Sequence, residues 1–240
     1  MKFKEINVFF DNGTYKRSVG ILAMVANKIL FEYDNAWIDS HLELAPIQLP
    51  TSRRSFQFET SKLVNSVPGL FGDSLPDGWG LLIMDRFFNK KGIKRDEITP
   101  IDRLAYLGED AMGALCYKPS LDHENNVSEA VGIGETARDA YELFEGNVED
   151  ASRLLAKIGG SPGGTRPKVL IGISDSGREF VSGIGALPDG FSHWMIKFSG
   201  LGKNELRSFG PYEGVLEYIY LEIAKAAGIN VFEYCQTNKR

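Results

Sequence analysis

Ser161-Pro162-Gly163-Gly164-Thr165-Arg166-Pro167-Lys168 runs directly into the apolar stretch Val169-Leu170-Ile171-Gly172-Ile173. Gly159, Gly160, Gly163 and Gly164 give this segment backbone freedom, because a residue without Cβ lets N–H groups converge on a phosphate. Arg166 and Lys168 add positive charge beside the turn. The apolar run that follows reads as a strand. The pattern is neither a Walker loop nor a G-x-G-x-x-G loop. A tight turn before a strand, with two solvated cations, is therefore the competing reading.

A second strand, Trp194-Met195-Ile196-Lys197-Phe198, carries a single lysine. A lysine inside a buried strand is costly unless its charge is paired. Nucleotide phosphates and a carboxylate would both serve. An edge strand with Lys197 turned to solvent is the alternative. A helix is predicted from about Tyr212 to Ala227, with Leu216, Ile219, Tyr220, Ile223 and Ala227 as its apolar stripe and Gly228 as its stop. Glu217 flanks that stripe, so it is expected to be part-buried, unlike Glu213 and Glu222, and to pair with Lys197. A surface glutamate is the alternative.

The rest of the chain is that of an ordinary globular protein. Its 240 residues hold one large domain or two small ones, with 43% hydrophobic and 25% charged residues. A net charge of −5 argues against a chain-wide nucleic-acid or membrane surface. Two cysteines, Cys116 and Cys235, cannot build a disulfide framework, and His41, His123 and His193 lack metal-ligand spacing. No secretory signal or membrane span is apparent, so a cytoplasmic protein is expected.

Ile6 to Phe10, Ser18 to Ala26 and Lys28 to Tyr33 read as strands of a small antiparallel sheet or open barrel, with Ala36-Trp37-Ile38 packing back. Leu49-Pro50 begins an irregular segment. Helices are predicted at Trp79 to Lys91, with Asp77 as a cap, and at Pro100 to Leu107. Met112 to Lys118 reads as a strand. Ser128 to Phe144 and Val148 to Ile158 read as helices, the second capped by Asn147. The fold class expected is α+β, with a β-rich domain over 1–120 and a second, kinase N-lobe-like domain over 121–240, an antiparallel sheet plus helix.

Glycine loop, strand lysine and helix glutamate, in that order, form the layout of the ATP-holding half of a kinase. Further motifs narrow this. Gly72-Asp73-Ser74-Leu75-Pro76-Asp77-Gly78-Trp79-Gly80, Arg103-Leu104-Ala105-Tyr106-Leu107-Gly108 with Gly113-Ala114-Leu115, and His193-Trp194-Met195-Ile196-Lys197-Phe198 with Glu217-Tyr218 stand in sequence along the chain. Near the start, Val19-Gly20-Ile21-Leu22, Phe31-Glu32-Tyr33 and Trp37 join them. Together these segments resemble the HipA-type serine/threonine kinases of bacterial toxin–antitoxin systems, nearly end to end.

The resemblance implies that Gly163, Gly164, Thr165 and their neighbours Arg166 and Lys168 cover the phosphates of ATP. It implies that Lys197 grips them beside Glu217, and that Ser161 is an autophosphorylation site. A phosphoserine there would add nearly two negative charges where ATP phosphates sit, and so eject the loop or block nucleotide. The implied partners are a helix-turn-helix antitoxin, through which contact with DNA is indirect, and a protein substrate of the translation machinery. The implied cofactors are ATP and Mg²⁺.

The chain departs from that family in one respect. No Asp-x-x-x-x-Asn run, and no aspartate at all, follows Glu217. The base and most of the Mg²⁺ ligands are therefore expected in a separate C-terminal lobe, and this chain alone is expected not to transfer phosphate. Val231 to Arg240 reads as the hinge into that lobe. Such a piece would leave apolar surface open and favour association. A non-enzymatic docking or regulatory fragment, and a phosphate-binding α+β domain of another kind, are the competing readings.

Overall fold

Strands β1 (Glu5–Asp11), β2 (Lys16–Val25) and β3 (Lys28–Tyr33) form an antiparallel meander. The first turn follows from its side chains: Asp11 Oδ1 accepts from Gly13 N–H at 2.9 Å and Asn12 Oδ1 from the Thr14 and Tyr15 N–H groups at 3.0 Å. Gly20, opposite Tyr33, is obligatory for a steric reason. A Cβ there would lie 2.1 Å from the Glu32 carbonyl oxygen. This computed structural model describes residues 3–60, 67–121, 130–146, 153–159, 163–198 and 212–235.

Two further strands widen the sheet. β4 (Phe56–Glu59) pairs with β3, and β5 (Leu115–Lys118) pairs with β1, giving the order β4-β3-β2-β1-β5. Helices α1 (Asn35–Ile38), α2 (Gly69–Gly72), α3 (Gly78–Lys90) and α4 (Pro100–Leu107) lie between β3 and β5 in the chain. Ile6, Val8, Val19, Leu22, Ile29 and Phe31 are fully buried and meet Trp37 from α1, Phe71 from α2 and Leu104 from α4.

The second half builds its own core. Helices α5 (Ile133–Phe144) and α6 (Arg153–Gly159) precede strands β6 (Lys168–Ser174), β7 (Phe180–Ser182) and β8 (Phe191–Lys197), and helix α7 (Glu213–Ala226) follows. The antiparallel order is β7-β6-β8, with β6 central. Ala140, Leu143, Leu155, Ile158, Val169 and Ile171 are buried together. Helix α3 serves both cores. Met84 and Phe88 enter the first, Trp79 and Ile83 the second. The fold is thus α+β with antiparallel sheets, as the sequence predicts.

Several expectations need correction. The segment after Leu49 is not irregular throughout, since α2 and β4 lie in it. The last strand of the first sheet starts at Leu115 rather than Met112. The strand β7 is too short to carry a periodic signal. Asn147 and residues 128–129 and 148–152 of the expected helices lie outside the described residues. Among the described residues no helix is long and apolar enough to cross a membrane.

Asp102 anchors α4. Its Oδ2 accepts from Thr99 N–H at 2.9 Å and Thr99 Oγ1 at 2.7 Å, while Oδ1 accepts from Phe3 N–H at 2.9 Å. Thr99 Oγ1 in turn accepts from Asp102 N–H at 3.1 Å, completing a reciprocal cap. Asp102→Ala removes the carboxylate half of this cap and leaves the part-buried Phe3 and Thr99 N–H groups without their acceptor, so chemical denaturation should register a loss of about 1–3 kcal/mol.

Tyr33 donates to the Leu49 carbonyl at 2.6 Å, and burial pushes its phenol up to about 12. A raised phenol pKa contributes stability that is full below the unfolded value of about 10 and lost as pH climbs to the folded value. Unfolding curves of Tyr33→Phe should therefore show a shallower decline between pH 10 and 12 than the wild type, the remainder coming from Tyr106 and Tyr117, whose phenols burial also raises.

Candidate functional site: the glycine loop, two lysines and their carboxylates

The glycine loop rests on the N-terminal end of α3. Asp77 Oδ1 accepts a hydrogen bond from Gly164 N–H. The Gly164 carbonyl accepts from Trp79 N–H at 2.9 Å, which satisfies one of the free donors at the helix start. The Trp79 indole, 1% exposed, donates to the Lys168 carbonyl at 2.8 Å. Gly78 adopts φ +39°, and a Cβ on it would stand 2.5 Å from Thr165 Cα. The motif around Trp79 and the loop before β6 are therefore one piece of structure.

Lys168 is buried, 7% exposed, and its ammonium donates to the Gly163 carbonyl. Burial, and next the charge of Lys197, hold its pKa below the ordinary lysine value, while Asp77 and Glu217 pull it back up. Lys197 stands directly opposite it in the β6–β8 register. The Lys197 ammonium donates to both carboxylate oxygens of Glu217, at 2.9 and 3.0 Å. Arg166 donates to Glu213 Oε1 at 2.6 Å. The sheet and the loop thus present three cations, each with an internal acceptor, two of the acceptors lying on α7.

The pairing of Lys197 with Glu217 matches the sequence reading, but its setting does not. Among the described residues β8 is an edge strand, and the Lys197 and Glu217 side chains are 49% and 57% exposed. Lys197 shares the outward face of β8 with His193 and Met195, whereas Trp194 and Ile196 turn toward the core. Glu213, expected to be the more exposed acid, is the more covered one at 25%. The first turn of α7 brings it against the loop. No residue of α7 is buried, so the expected apolar stripe is an open face. Ile219, Tyr220 and Ile223 are exposed, with Ile229 and Phe232 beyond the helix.

Asp77 also behaves differently from its expected role. It stands at the cap position of α3 but makes no side-chain cap bond, its carboxylate being turned to the loop. Sequence reasoning assigned it no part in the site, since only the fold joins residues this far apart in the chain. Thr165 is exposed. Ser161 and Gly160 lie outside the described residues, as does the hinge reading beyond Cys235. Among the described residues no group of three or more His, Cys, Asp or Glu could hold a metal ion.

Trp79→Phe keeps the ring and deletes the indole donor, leaving the Lys168 carbonyl without its buried partner. The cost should be about 1–3 kcal/mol. Hydrogen exchange locates it: amides of β6 should lose protection while those of β2 keep theirs.

Residues 8–118 match the family model described as the HipA N-terminal domain. No curated protein matches the chain. The matched stretch runs from β1 to the last residue of β5, and so spans the whole five-stranded sheet except the first residues of β1. Residues 8–118 of this chain are therefore similar to the HipA N-terminal domain.

Proposed function

We propose that the chain is the N-terminal part of a HipA-like protein serine/threonine kinase, and that its second half is a kinase-like lobe holding the phosphates of ATP. The observation that carries this reading is the two-oxygen contact between Lys197 on β8 and Glu217 on α7, with Lys168 opposite in register. A strand lysine held by a helix glutamate, beside a glycine loop, positions nucleotide phosphates and offsets their charge. Both side chains are open to solvent, so phosphates have access to them.

In this reading Gly163, Gly164 and Thr165 cover the phosphates, Arg166, Lys168 and Lys197 supply charge, and Glu217 orients Lys197. Ser161 is the site of autophosphorylation. Mg²⁺ accompanies ATP, and its ligands, with the base that takes the substrate hydroxyl proton, come from a separate C-terminal lobe. The partners are a helix-turn-helix antitoxin and a protein of the translation machinery, in the cytoplasm.

A second reading has its own observation. The open apolar face of α7, from Ile219 to Ile223 and on to Phe232, suits a docking element better than a solvated helix. The chain would then be a regulatory fragment that binds a kinase lobe or an antitoxin without transferring phosphate.

Calorimetric titration with Mg·ATP, wild type beside Lys197→Ala, separates the two. An exposed ion pair contributes about 0–1 kcal/mol to stability, so the variant should fold normally. Wild-type heat, weakened about tenfold or more in Lys197→Ala, is the result expected when one charge-assisted phosphate contact is lost. No heat in the wild type overturns the nucleotide reading and leaves the docking one.

A further inference from the structure

We propose that Asp77 sets the phosphate affinity of the glycine loop by acting as a built-in competitor for it. The inference rests on the nucleotide reading above and concerns how that site is regulated. The Asp77 carboxylate holds the Gly164 N–H, the kind of backbone donor that a phosphate oxygen needs. It lies near the Lys168 ammonium, whose pKa it raises, and within 3.4 Å of where a Cβ on Gly163 would stand. An anion entering the loop meets a carboxylate already seated on its donor.

The surroundings favour that seat. The N-terminal end of α3 carries positive partial charge, which stabilises a carboxylate there. Asp77 does not use its oxygens on the helix itself. The loop cannot simply retreat from it, because Trp79 N–H holds the Gly164 carbonyl and the Trp79 indole holds the Lys168 carbonyl. The backbone that follows the donor is held at Gly164 and at Lys168, and the Asp77 side chain is the element free to rotate away. Glu217 on Lys197 and Glu213 on Arg166 are also internal acceptors, but they engage side chains that can swing to a phosphate. Asp77, among these acids, engages the loop backbone.

Asp77→Asn keeps the size and the Oδ1 acceptor and removes the charge. Binding of Mg·ATP and of inorganic tripolyphosphate should tighten about three- to tenfold, the scale of one partly screened charge, while adenosine shows no change. Asp77→Ser, which also removes the charge, gives the same readout should the asparagine variant fold poorly. Equal or weaker binding by the charge-free variants overturns the proposal, and wild-type binding of Mg·ATP in that case leaves the nucleotide reading standing. Binding by neither wild type nor variants overturns both. A second measurement bears on the tether alone. Exchange at the Gly164 amide should quicken about tenfold in Asp77→Ala, as for loss of a charged hydrogen bond. Unchanged exchange overturns the proposal whatever the ligand does.

Discussion

The bond from the Trp79 indole to the Lys168 carbonyl is the contact on which the second half of the molecule depends. Helix α3 has its C-terminal part set in the first core through Met84 and Phe88. Its N-terminal turns therefore arrive at the second core already placed. Trp79 and Ile83 supply apolar area there, and the indole donor fixes where β6 begins. A buried aromatic that also satisfies a backbone carbonyl does two tasks at once, packing and register. The glycine loop inherits its position from this indole together with the Trp79 N–H and the Asp77 carboxylate, all at the start of α3.

The electrostatics follow from that placement. Lys168, at the start of β6, is drawn under the loop, where its charge costs desolvation energy that the Gly163 carbonyl and nearby acids offset. Lys197 across the strand keeps its head in solvent, so Glu217 holds it at little cost and with little gain in stability. The two lysines face each other yet differ in setting: one is buried, the other exposed. Mutual repulsion between them depresses Lys168 further. An arriving polyanion would relieve that repulsion.

Much of this could be read from the residues. Apolar alternation places β1 to β3, and the helix expected from Pro100 to Leu107 is α4. The Lys197–Glu217 pair is expected from a part-buried Glu217; the two side chains do meet, although both are exposed. Burial was less legible. A lone lysine in a strand gives the same letters whether the strand is central or at the edge, and only the pairing of β6 with both β7 and β8 decides. The inverted exposure of Glu213 and Glu217 has a similar cause, because helical periodicity defines faces but not what lies against them. Asp77 was hidden for a different reason: its N-cap pattern is genuine in sequence, yet the Gly164 amide outcompetes the helix for its carboxylate.

The five-stranded sheet closes with a strand from far along the chain. Asn7 on β1 pairs with Lys118 on β5, 111 residues away. During synthesis β1 can pair with β2 almost at once, but its other edge must wait for β5 to leave the ribosome. At 5–20 residues per second that interval is roughly 5–20 s. Throughout it, β1 offers a row of unpaired N–H and C=O groups, the template on which foreign strands add. The nascent chain is thus most vulnerable to misassociation before Lys118 emerges, and a holding chaperone would find its target in the strand made first.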